Sequence, residues 1–444
     1  MLPDVALLEI FGFYMDEERI EAWHTLVHVC QTWRIIVLGS PRRLGLRLYC
    51  GASTPVREML GVWPLLPIVM MVHRDEKWCD NIVATLEHSD RICEIDFKSY
   101  TSWKMEKLLA AMRQPFPSLT RLKLRSRSKP APVDPDLFLG GAAPHLQSLC
   151  LERIPFPGLP KLLVSAPRLV DLSLREVFDF GYITPGAIVA GLSILTSLES
   201  LNIGFKYPQH RTDWKSRRLP LPTRALLPVL TKLHFEGDCE YLEDLVAQID
   251  APFLYELSIV FFPQPIFDAP QLAHFLNRTP NFKAQDEAHV VSMYGAIRVT
   301  LPQTFGGRLR LGILSNWQLS SLAQLCNSSL PQDFIPAVEH LYFLDTGLSL
   351  LLRQDNAGNS QWVELLHLFP TVKSLYISQS LTRRFALVLQ GLARERVMEV
   401  LPALQTLFFE DSLPSGPDQE AIGQFIAARQ LSSHLIAVSC WERK

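Results

Sequence analysis

A short leucine pattern recurs along most of the chain and constrains its fold more than any other feature. Each copy follows the form Leu-x-x-Leu-x-Leu, usually after a proline, and successive copies mostly lie roughly 23 to 34 residues apart. A unit of this length cannot bury its own apolar face, so neighbouring units must stack to form a continuous core. The copies occupy residues 117–124, 144–151, 167–174, 198–203, 228–235, 252–259, 336–343, 370–377 and 402–409.

The spacing inside one copy predicts a β-strand with one buried side. In the first copy, Leu122 and Leu124 lie two positions apart and are expected to point into the core, while Arg121, Lys123 and Arg125 point away from it. Segments between copies carry apolar residues at helical spacing, which predicts helices that return to the next strand. These predicted helices span 104–113, 185–195, 241–249, 270–277, 317–326, 361–369 and 383–400.

Strand patterns also occur outside the clear copies. Alternation at 46–48, 68–70 and 92–97 predicts the first strands of the array, and 435–440 predicts a closing strand. Between residues 259 and 336 the pattern fades, although 296–301 and 309–313 still alternate. We therefore expect the array to continue there with degenerate units.

The whole arrangement resembles the leucine-rich repeats, whose parallel strands line the concave side of a curved solenoid. The resemblance implies an α/β fold with an irregular repeat solenoid over residues 46–444, in which 46–97 are transitional first repeats. The Asn or Cys that regular members of this family place after the last leucine is mostly missing, and the repeat length varies. The resemblance is therefore to the irregular type.

Residues 1–45 do not follow the repeat and show helical spacing instead. Apolar residues at 5, 7, 8 and 11 predict a first helix after Pro3, and residues 23–37 predict a second helical region that ends at Gly39-Ser40-Pro41. The first region opens with Leu-Pro followed by Leu-Leu-x-Ile-Phe, and the second closes with Val-Cys-x-x-Trp-Arg-x-x-Val. Both phrases lie immediately before the repeat array.

These two phrases resemble the F-box, a small helical module that binds the Skp adaptor of cullin-based ubiquitin ligases. The arrangement is especially similar to the expanded F-box families of mushroom-forming (basidiomycete) fungi. The resemblance implies a substrate-recognition subunit of a Skp-cullin-F-box ligase, whose repeats bind an unknown protein substrate and which has no catalytic residue or cofactor. The implied adaptor-binding residues are Leu2, Pro3, Leu7, Leu8, Ile10, Phe11, Val29, Cys30, Trp33, Arg34 and Val37.

An alternative reading stays open for the same helices. Every solenoid needs capped ends, and a Leu- and Trp-rich helical pair is suited to that purpose. The chain would then be a non-degradative leucine-rich-repeat scaffold or sensing protein whose N-terminal helices are only a cap.

Charge and cysteine usage restrict the class of partner and the compartment. The 43 basic and 45 acidic residues give a net charge of −2, which provides no general attraction for nucleic acid or an anionic membrane. Eight cysteines without a C-x-x-C pair indicate thiols of a reducing compartment, so we expect a cytoplasmic or nuclear protein. The longest apolar stretch, 59–72, contains two prolines and is too short to span a bilayer.

Several motifs resemble catalytic signatures without their context. His73-Arg74-Asp75 and Asp179-Phe180-Gly181 match kinase triplets by letter, but they are far apart and no glycine-rich loop precedes them. His24 and His28 have a metal-ligand spacing, yet Thr25 stands where a zinc peptidase has its glutamate base. We therefore predict that the chain is not an enzyme and holds no metal.

The strand positions that face away from the core form the predicted recognition surface. Charge dominates early in the array, where Arg127 and Lys129 continue the basic run, and aromatic residues dominate late. The predicted substrate-binding residues are Arg121, Lys123, Arg125, Arg175, Tyr342, Tyr376 and Phe408. Two alternatives remain open: the basic run is an ordinary solvated strand face, or the C-terminal helices or tail cover the aromatic rings.

Overall fold

The structure is a computed structural model that describes most of the chain. The sequence also predicts exposed loops at 126–135 and 206–222. These loops, Lys129 and both kinase-like triplets lie wholly or partly outside the described residues. The described residues are 2–15, 22–51, 56–62, 65–72, 80–128, 137–178, 181–206, 224–293, 296–303, 307–314, 319–345, 359–395 and 397–442.

The chain divides into two compact units, Met1–Leu198 and Glu199–Lys444. Each unit contains repeats of a strand followed by a return segment. The boundary predicted between residues 45 and 46 falls within the first unit and stays a prediction.

The first unit opens with three helices, α1 (Asp4–Tyr14), α2 (Ala22–Val29) and α3 (Gln31–Gly39). The sequence predicts one helical region over 23–37, whereas the structure breaks it at Cys30. That residue has an extended backbone (φ −159°, ψ 169°), and its Sγ accepts a hydrogen bond from the Trp33 amide, so it caps α3. The break turns α3 back against α1, where the Phe11 and Trp33 ring centroids lie 4.7 Å apart.

A parallel sheet follows in the first unit, with its strands side by side in chain order. Ile95, Leu122 and Leu149 are adjacent in register and buried, so the predicted inward leucines form a continuous row. The strands are β1 (Leu48–Cys50), β2 (Ile68–Val72), β3 (Ile92–Ser99), β4 (Arg121–Ser126), β5 (Ser148–Glu152) and β6 (Asp171–Val177). The helices between and after them are α4 (Val56–Val62), α5 (Asp80–Leu86), α6 (Ser102–Ala111), α7 (Leu159–Val164) and α8 (Pro185–Leu192), with a 3-10 helix at Phe138–Gly141.

The second unit continues the same alternation of strands and helices. Its strands are β7 (Ser200–Phe205), β8 (Ala225–Leu226), β9 (Lys232–Gly237), β10 (Ile249–Asp250), β11 (Glu256–Phe261), β12 (Glu287–Met293), β13 (Ala296–Pro302), β14 (Arg308–Leu314), β15 (His340–Asp345), β16 (Ser374–Ile377), β17 (Thr406–Glu410) and β18 (Ala437–Trp441). Its helices are α9 (Cys239–Ala247), α10 (Pro270–Asn277), α11 (Leu319–Ser329), α12 (Asn359–His367), α13 (Thr382–Glu395) and α14 (Pro417–Leu431), with a 3-10 helix at Gln379–Leu381.

A meander interrupts the simple strand order of the second unit, which is β7-β9-β11-β14-β13-β12-β15-β16-β17-β18. After β11 the chain enters β12, which lies three positions away in the sheet, and then turns back through β13 to β14 beside β11. β13 is antiparallel to both neighbours, whereas β12 and β14 pair in parallel with β15 and β11. The faded repeats are thus a three-stranded insertion, and the sheet is mostly parallel.

Backbone carbonyls at the strand entrances join successive repeats. The Thr120 carbonyl accepts the amides of both Gln147 (2.8 Å) and Ser148 (3.1 Å) from the next repeat. Each such carbonyl accepts hydrogen bonds from two backbone amides at the start of the next strand. Buried backbone amides need such partners. The same two-donor arrangement recurs at the carbonyls of Gln147, Glu199, Thr231, Asp286, Glu339 and Lys373.

Side chains add further links between repeats. The hydroxyls of Thr120, Thr231 and Thr371 donate to carbonyls of the preceding repeat at 3.0, 3.0 and 2.9 Å. The fully buried Arg429 donates from Nη2 to the Val400 and Leu401 carbonyls at 2.6 and 2.9 Å. These contacts bond backbone groups between turns, which is the role of the Asn or Cys missing from the sequence pattern.

The buried leucine row predicts a large cost for truncation in its middle. Replacing Leu149, which is 0% exposed, with Ala should lower the free energy of unfolding by about 2–5 kcal/mol. Leu65 is 85% exposed, so Leu65→Ala should change it by less than about 0.5 kcal/mol. Urea denaturation followed by circular dichroism measures both variants, and equal losses would contradict the proposed core.

Candidate functional site

Helix α1 carries apolar residues on every side, together with Asp4 and Glu9, but buries only one side. Leu7, Leu8 and Phe11 pack inward, while Val5 is 61% and Phe13 is 87% exposed. A helix that is apolar all round is normally buried all round. The described part of the chain therefore leaves one apolar side of α1 without a covering.

The residues predicted to bind an adaptor divide into a buried and an exposed group. Leu7, Leu8, Phe11 and Val37 are buried and Trp33 is half-buried, so these side chains build the core that holds the helices together. The exposed members are Leu2, Pro3, Ile10, Val29, Cys30 and Arg34.

Three further apolar residues are exposed: the sequence pattern did not single out Phe13 and Ile35, and its grouping of Val5 in one buried stripe with Leu7, Leu8 and Phe11 was wrong. Val5 and Phe13 lie on the side of α1 that does not carry the buried residues, and Ile35 is 64% exposed on α3. Helical spacing contained the signal, since Val5 and Phe13 fall outside the arc of Leu7, Leu8 and Phe11. We use the name N-terminal apolar set for Leu2, Val5, Ile10, Phe13, Val29 and Ile35.

The predicted basic run lies on the sheet face opposite the buried leucines, which we call the open face. There Arg125 Nη2 lies 2.9 Å from Asp96 Oδ1, and Lys123 Nζ lies 3.8 Å from Asp96 Oδ2. Arg121 lies 4.0 Å from Glu94, which also pairs with Arg47. The run is therefore compensated in part by the two carboxylates of β3, and such partly exposed pairs contribute about 0–1 kcal/mol each.

The acidic partners on β3 carried a sequence signal of their own. Glu94 and Asp96 alternate with the buried Ile95 and Phe97, as a strand requires. Register places Glu94 beside Arg121 and Asp96 beside Lys123. Arg175, the remaining basic candidate, is exposed on β6 beside Glu152 of β5.

The three predicted aromatic residues come together as a stack in the second unit. The Tyr342 and Tyr376 centroids lie 4.1 Å apart at 10°, and those of Tyr376 and Phe408 lie 4.5 Å apart at 5°. Parallel register across β15, β16 and β17 places the rings directly beside one another. His289 on β12 extends the stack, with its ring 4.7 Å from that of Tyr342.

Trp441 on β18 covers one edge of this aromatic stack. Its ring meets Tyr342 at 5.9 Å and 74°, and Tyr376 at 5.7 Å and 84°. Burial and the neighbouring Tyr376 raise the pKa of Tyr342 above its ordinary value. All four rings remain half-buried, so the C-terminal strand covers the stack in part and leaves apolar ring surface for a partner.

Among the described residues, no group of three or more His, Cys, Asp or Glu side chains is placed to hold a metal ion. Within the same residues, no helix combines the length and apolar character needed to cross a membrane.

Comparison with known proteins gives distant structural similarity. No family model matches the chain, and no curated protein matches it. Among solved structures, the chain is similar to the leucine-rich repeat-containing protein LegL7 from Legionella pneumophila, with 15% identity and a TM-score of 0.32 over 79% of this chain and 95% of that one. The chain has a leucine-rich-repeat fold. This conclusion comes from its stacked strands and return helices together with the repeated leucine phrase.

The aromatic contacts predict measurable coupling between Tyr376 and Trp441. Tyr376→Leu and Trp441→Leu should be non-additive in the free energy of unfolding by about 0.5–1.5 kcal/mol, because each removes the same edge-to-face contact. Tyr376→Leu combined with Tyr255→Leu should be additive, since no ring contact joins these two described residues. Double-mutant cycles by urea denaturation measure the coupling free energy of both pairs. Additivity of the first pair would show that the contact between Tyr376 and Trp441 does not contribute to stability.

Proposed function

We propose that this chain is the substrate-recognition subunit of a Skp-cullin-F-box type ubiquitin ligase. In this proposal α1–α3 bind the Skp adaptor, and the open face of the repeats binds a protein substrate. The coarser description, a leucine-rich-repeat protein, does not depend on the proposal.

The observation that supports it most is the one-sided burial of α1. A helix that only capped the array would be expected to turn its apolar residues inward, whereas Val5, Ile10 and Phe13 face outward. Large apolar side chains exposed on neighbouring turns are typical of a surface that binds another protein. The N-terminal phrases that resemble the F-box lie on these same helices.

Contacts among the three helices and with the start of the array have a supporting part in this proposal. Phe11 packs on Trp33, and Arg34 Nε donates to the Val27 carbonyl at 2.9 Å, which fixes α3 relative to α1 and α2. Trp23 is fully buried, and its Nε1 donates to the Arg47 carbonyl at 2.9 Å next to β1. These contacts hold the helices that carry the N-terminal apolar set in a fixed arrangement, which lowers the entropic cost of binding.

The recognition end would use the open face of the repeats. The aromatic stack of Tyr342, Tyr376 and Phe408 offers rigid apolar surface, and aromatic residues are frequent anchors at protein interfaces. No catalytic group is required of the chain itself. It would accelerate transfer by raising the concentration of the substrate near the transferring enzyme.

The proposal predicts that exposed positions of α1 govern adaptor binding. Val5→Glu and Phe13→Glu should each weaken binding of the Skp adaptor by at least about tenfold, because a charge replaces an apolar side chain that the complex buries. Neither should change the free energy of unfolding by more than about 0.5 kcal/mol. Purified adaptor and full-length chain in a calorimetric titration provide the measurement.

Leu413→Glu is the matched control, because Leu413 is an exposed leucine of the second unit. It should bind the adaptor as the wild type does. Leu8→Ala tests a different quantity: Leu8 is buried, so this variant should lose stability along with binding. Full adaptor affinity in both Val5→Glu and Phe13→Glu would remove the proposed docking surface.

Cysteine alkylation provides a second test with an internal reference. Cys30 and Cys440 are exposed, whereas burial raises the pKa of Cys50 to about 11 and of Cys326 to about 12, which suppresses their reactivity. Adaptor binding should slow iodoacetamide labelling of Cys30 severalfold and leave that of Cys440 unchanged. Site-resolved mass spectrometry measures both rates, and equal protection of the two sites would argue against docking on the helices.

A scaffold or sensing protein with capping helices is the second candidate. The Trp23 contact with Arg47 and the ion pair between Arg43 and Glu9 attach the helices to the start of the array, as a cap would be attached. This candidate predicts no adaptor binding by the wild-type chain. The same titration therefore separates the two functions.

A further inference from the structure

A pocket lies where β3, β4 and β5 of the first unit end. Its volume is about 360 Å³, within the usual range for small-ligand sites. The residues that line it are Lys98, Arg125, Ser126, Arg127, Glu152 and Arg153. Four of these six carry a positive charge, and one of them, Arg125, also belongs to the basic run on the open face.

Two of the four cations have no acidic partner among the described residues. Lys98 Nζ lies 5.7 Å and Arg127 Cζ lies 4.5 Å from the centroid of the Tyr100 ring, so one ring holds both by cation–π contact. Register also places Lys98 directly beside Arg125 on the neighbouring strand. Like charges in that position repel one another, and a bound anion would remove the repulsion.

The other two cations are fixed by carboxylates at the back of the pocket. Arg125 bonds Asp96 at 2.9 Å, and its buried Nε has no hydrogen-bond partner. Arg153 makes a bidentate pair with Glu176, at 2.7 Å from Nε and 3.0 Å from Nη2. Both guanidinium groups are thereby oriented before any ligand arrives.

Backbone strain lies beside the same pocket. Arg153 has φ 59° and Glu176 has φ 49°, in the left-handed region that non-glycine residues seldom adopt. The Arg153 amide donates to the Arg175 carbonyl at 2.9 Å, and its Nη1 donates to the Arg127 carbonyl at 3.2 Å. The strained residue thus links the end of β5 to the segment that carries Arg127. Strain of this kind is concentrated at binding sites.

From this geometry we propose that the pocket binds a phosphate monoester group. Such a group carries about −1.5 to −2 charges at neutral pH, which matches the charge of Lys98 and Arg127, the two lining cations without an acidic partner among the described residues. Its oxygens accept hydrogen bonds from lysine and arginine donors at once. Glu152 places a like charge on the β5 side, so the phosphoryl group lies towards Lys98 and Arg127.

The group can come from a phosphorylated side chain of a protein segment or from a free phosphate ester. This inference deepens the recognition half of the proposed function, because it names a chemical class of ligand for the repeats, and it does not involve α1–α3. Adaptor binding therefore serves as an independent readout.

The test is calorimetric titration of the full-length chain at low salt with three probes. They are inorganic phosphate, O-phosphoserine and a short peptide with a central phosphoserine, and the same peptide with serine or glutamate is the reference. Lys98→Gln combined with Arg127→Gln should weaken phosphate-monoester binding by at least about tenfold. Arg121→Gln combined with Lys123→Gln removes the same charge from the same face outside the pocket and should weaken it less than about threefold.

Glu152→Gln provides a control of opposite sign. Because it removes the like charge beside the ligand, it should tighten binding of O-phosphoserine about threefold or more. Tighter binding of the phosphopeptide than of O-phosphoserine would assign the group to a protein segment. Equal binding of the two would assign it to a free ester, and both results support the pocket.

Three results would overturn the assignment. They are no binding of any phosphate probe at millimolar concentration, equal losses in the two double variants, and equal affinity for the glutamate and phosphoserine peptides. The Lys98→Gln and Arg127→Gln double variant should bind the Skp adaptor as the wild type does. Adaptor binding with an inert pocket would reject this inference alone, whereas phosphate binding without adaptor binding would reject the docking proposal alone.

Discussion

The stacking of one repeat on the next is the constraint on which the rest of the structure depends. A single strand with its return helix exposes both its leucines and its backbone amides, and only the neighbouring repeat covers them. The Thr120 carbonyl shows how this is done, since it accepts two amides from the following repeat at the point where that chain enters the sheet. Because the bonds hold the strands in parallel register, the inward leucines align in rows without a dedicated asparagine.

The same register determines the chemistry of the open face. Residues at equivalent positions of successive strands lie side by side. Aromatic residues at such positions therefore form a stack, and residues of opposite charge form ion pairs. Tyr342, Tyr376 and Phe408 illustrate the first case, and Asp96 with Lys123 illustrates the second. The residues that form such a surface therefore recur in the sequence at the spacing of the repeat.

Much of the fold follows from that spacing, and the exceptions have physical reasons. The leucine spacing predicted the clear strands, and the segments between them predicted the return helices. The prediction for 270–277 has the same bounds as α10 (Pro270–Asn277). The meander of β12 to β14 could not be predicted, because alternation indicates a strand but not its neighbour or direction. The break at Cys30 was missed since one capping sulfur interrupts an otherwise helical pattern. Trp441 was missed because its contacts lie on β15 and β16, remote in sequence.

For the candidate sites, sequence identified residue types but not their surroundings. The basic run on β4 was visible, whereas its neutralisation depends on β3 being the adjacent strand in register. Compensation of this kind depends on which residues lie side by side on adjacent strands. Arg127 lies just beyond β4, whereas Lys98 lies one residue before the end of β3 and is still paired in register with Arg125. Among the described residues neither Lys98 nor Arg127 has an acidic partner, and a small anion is the kind of partner that their position can accommodate.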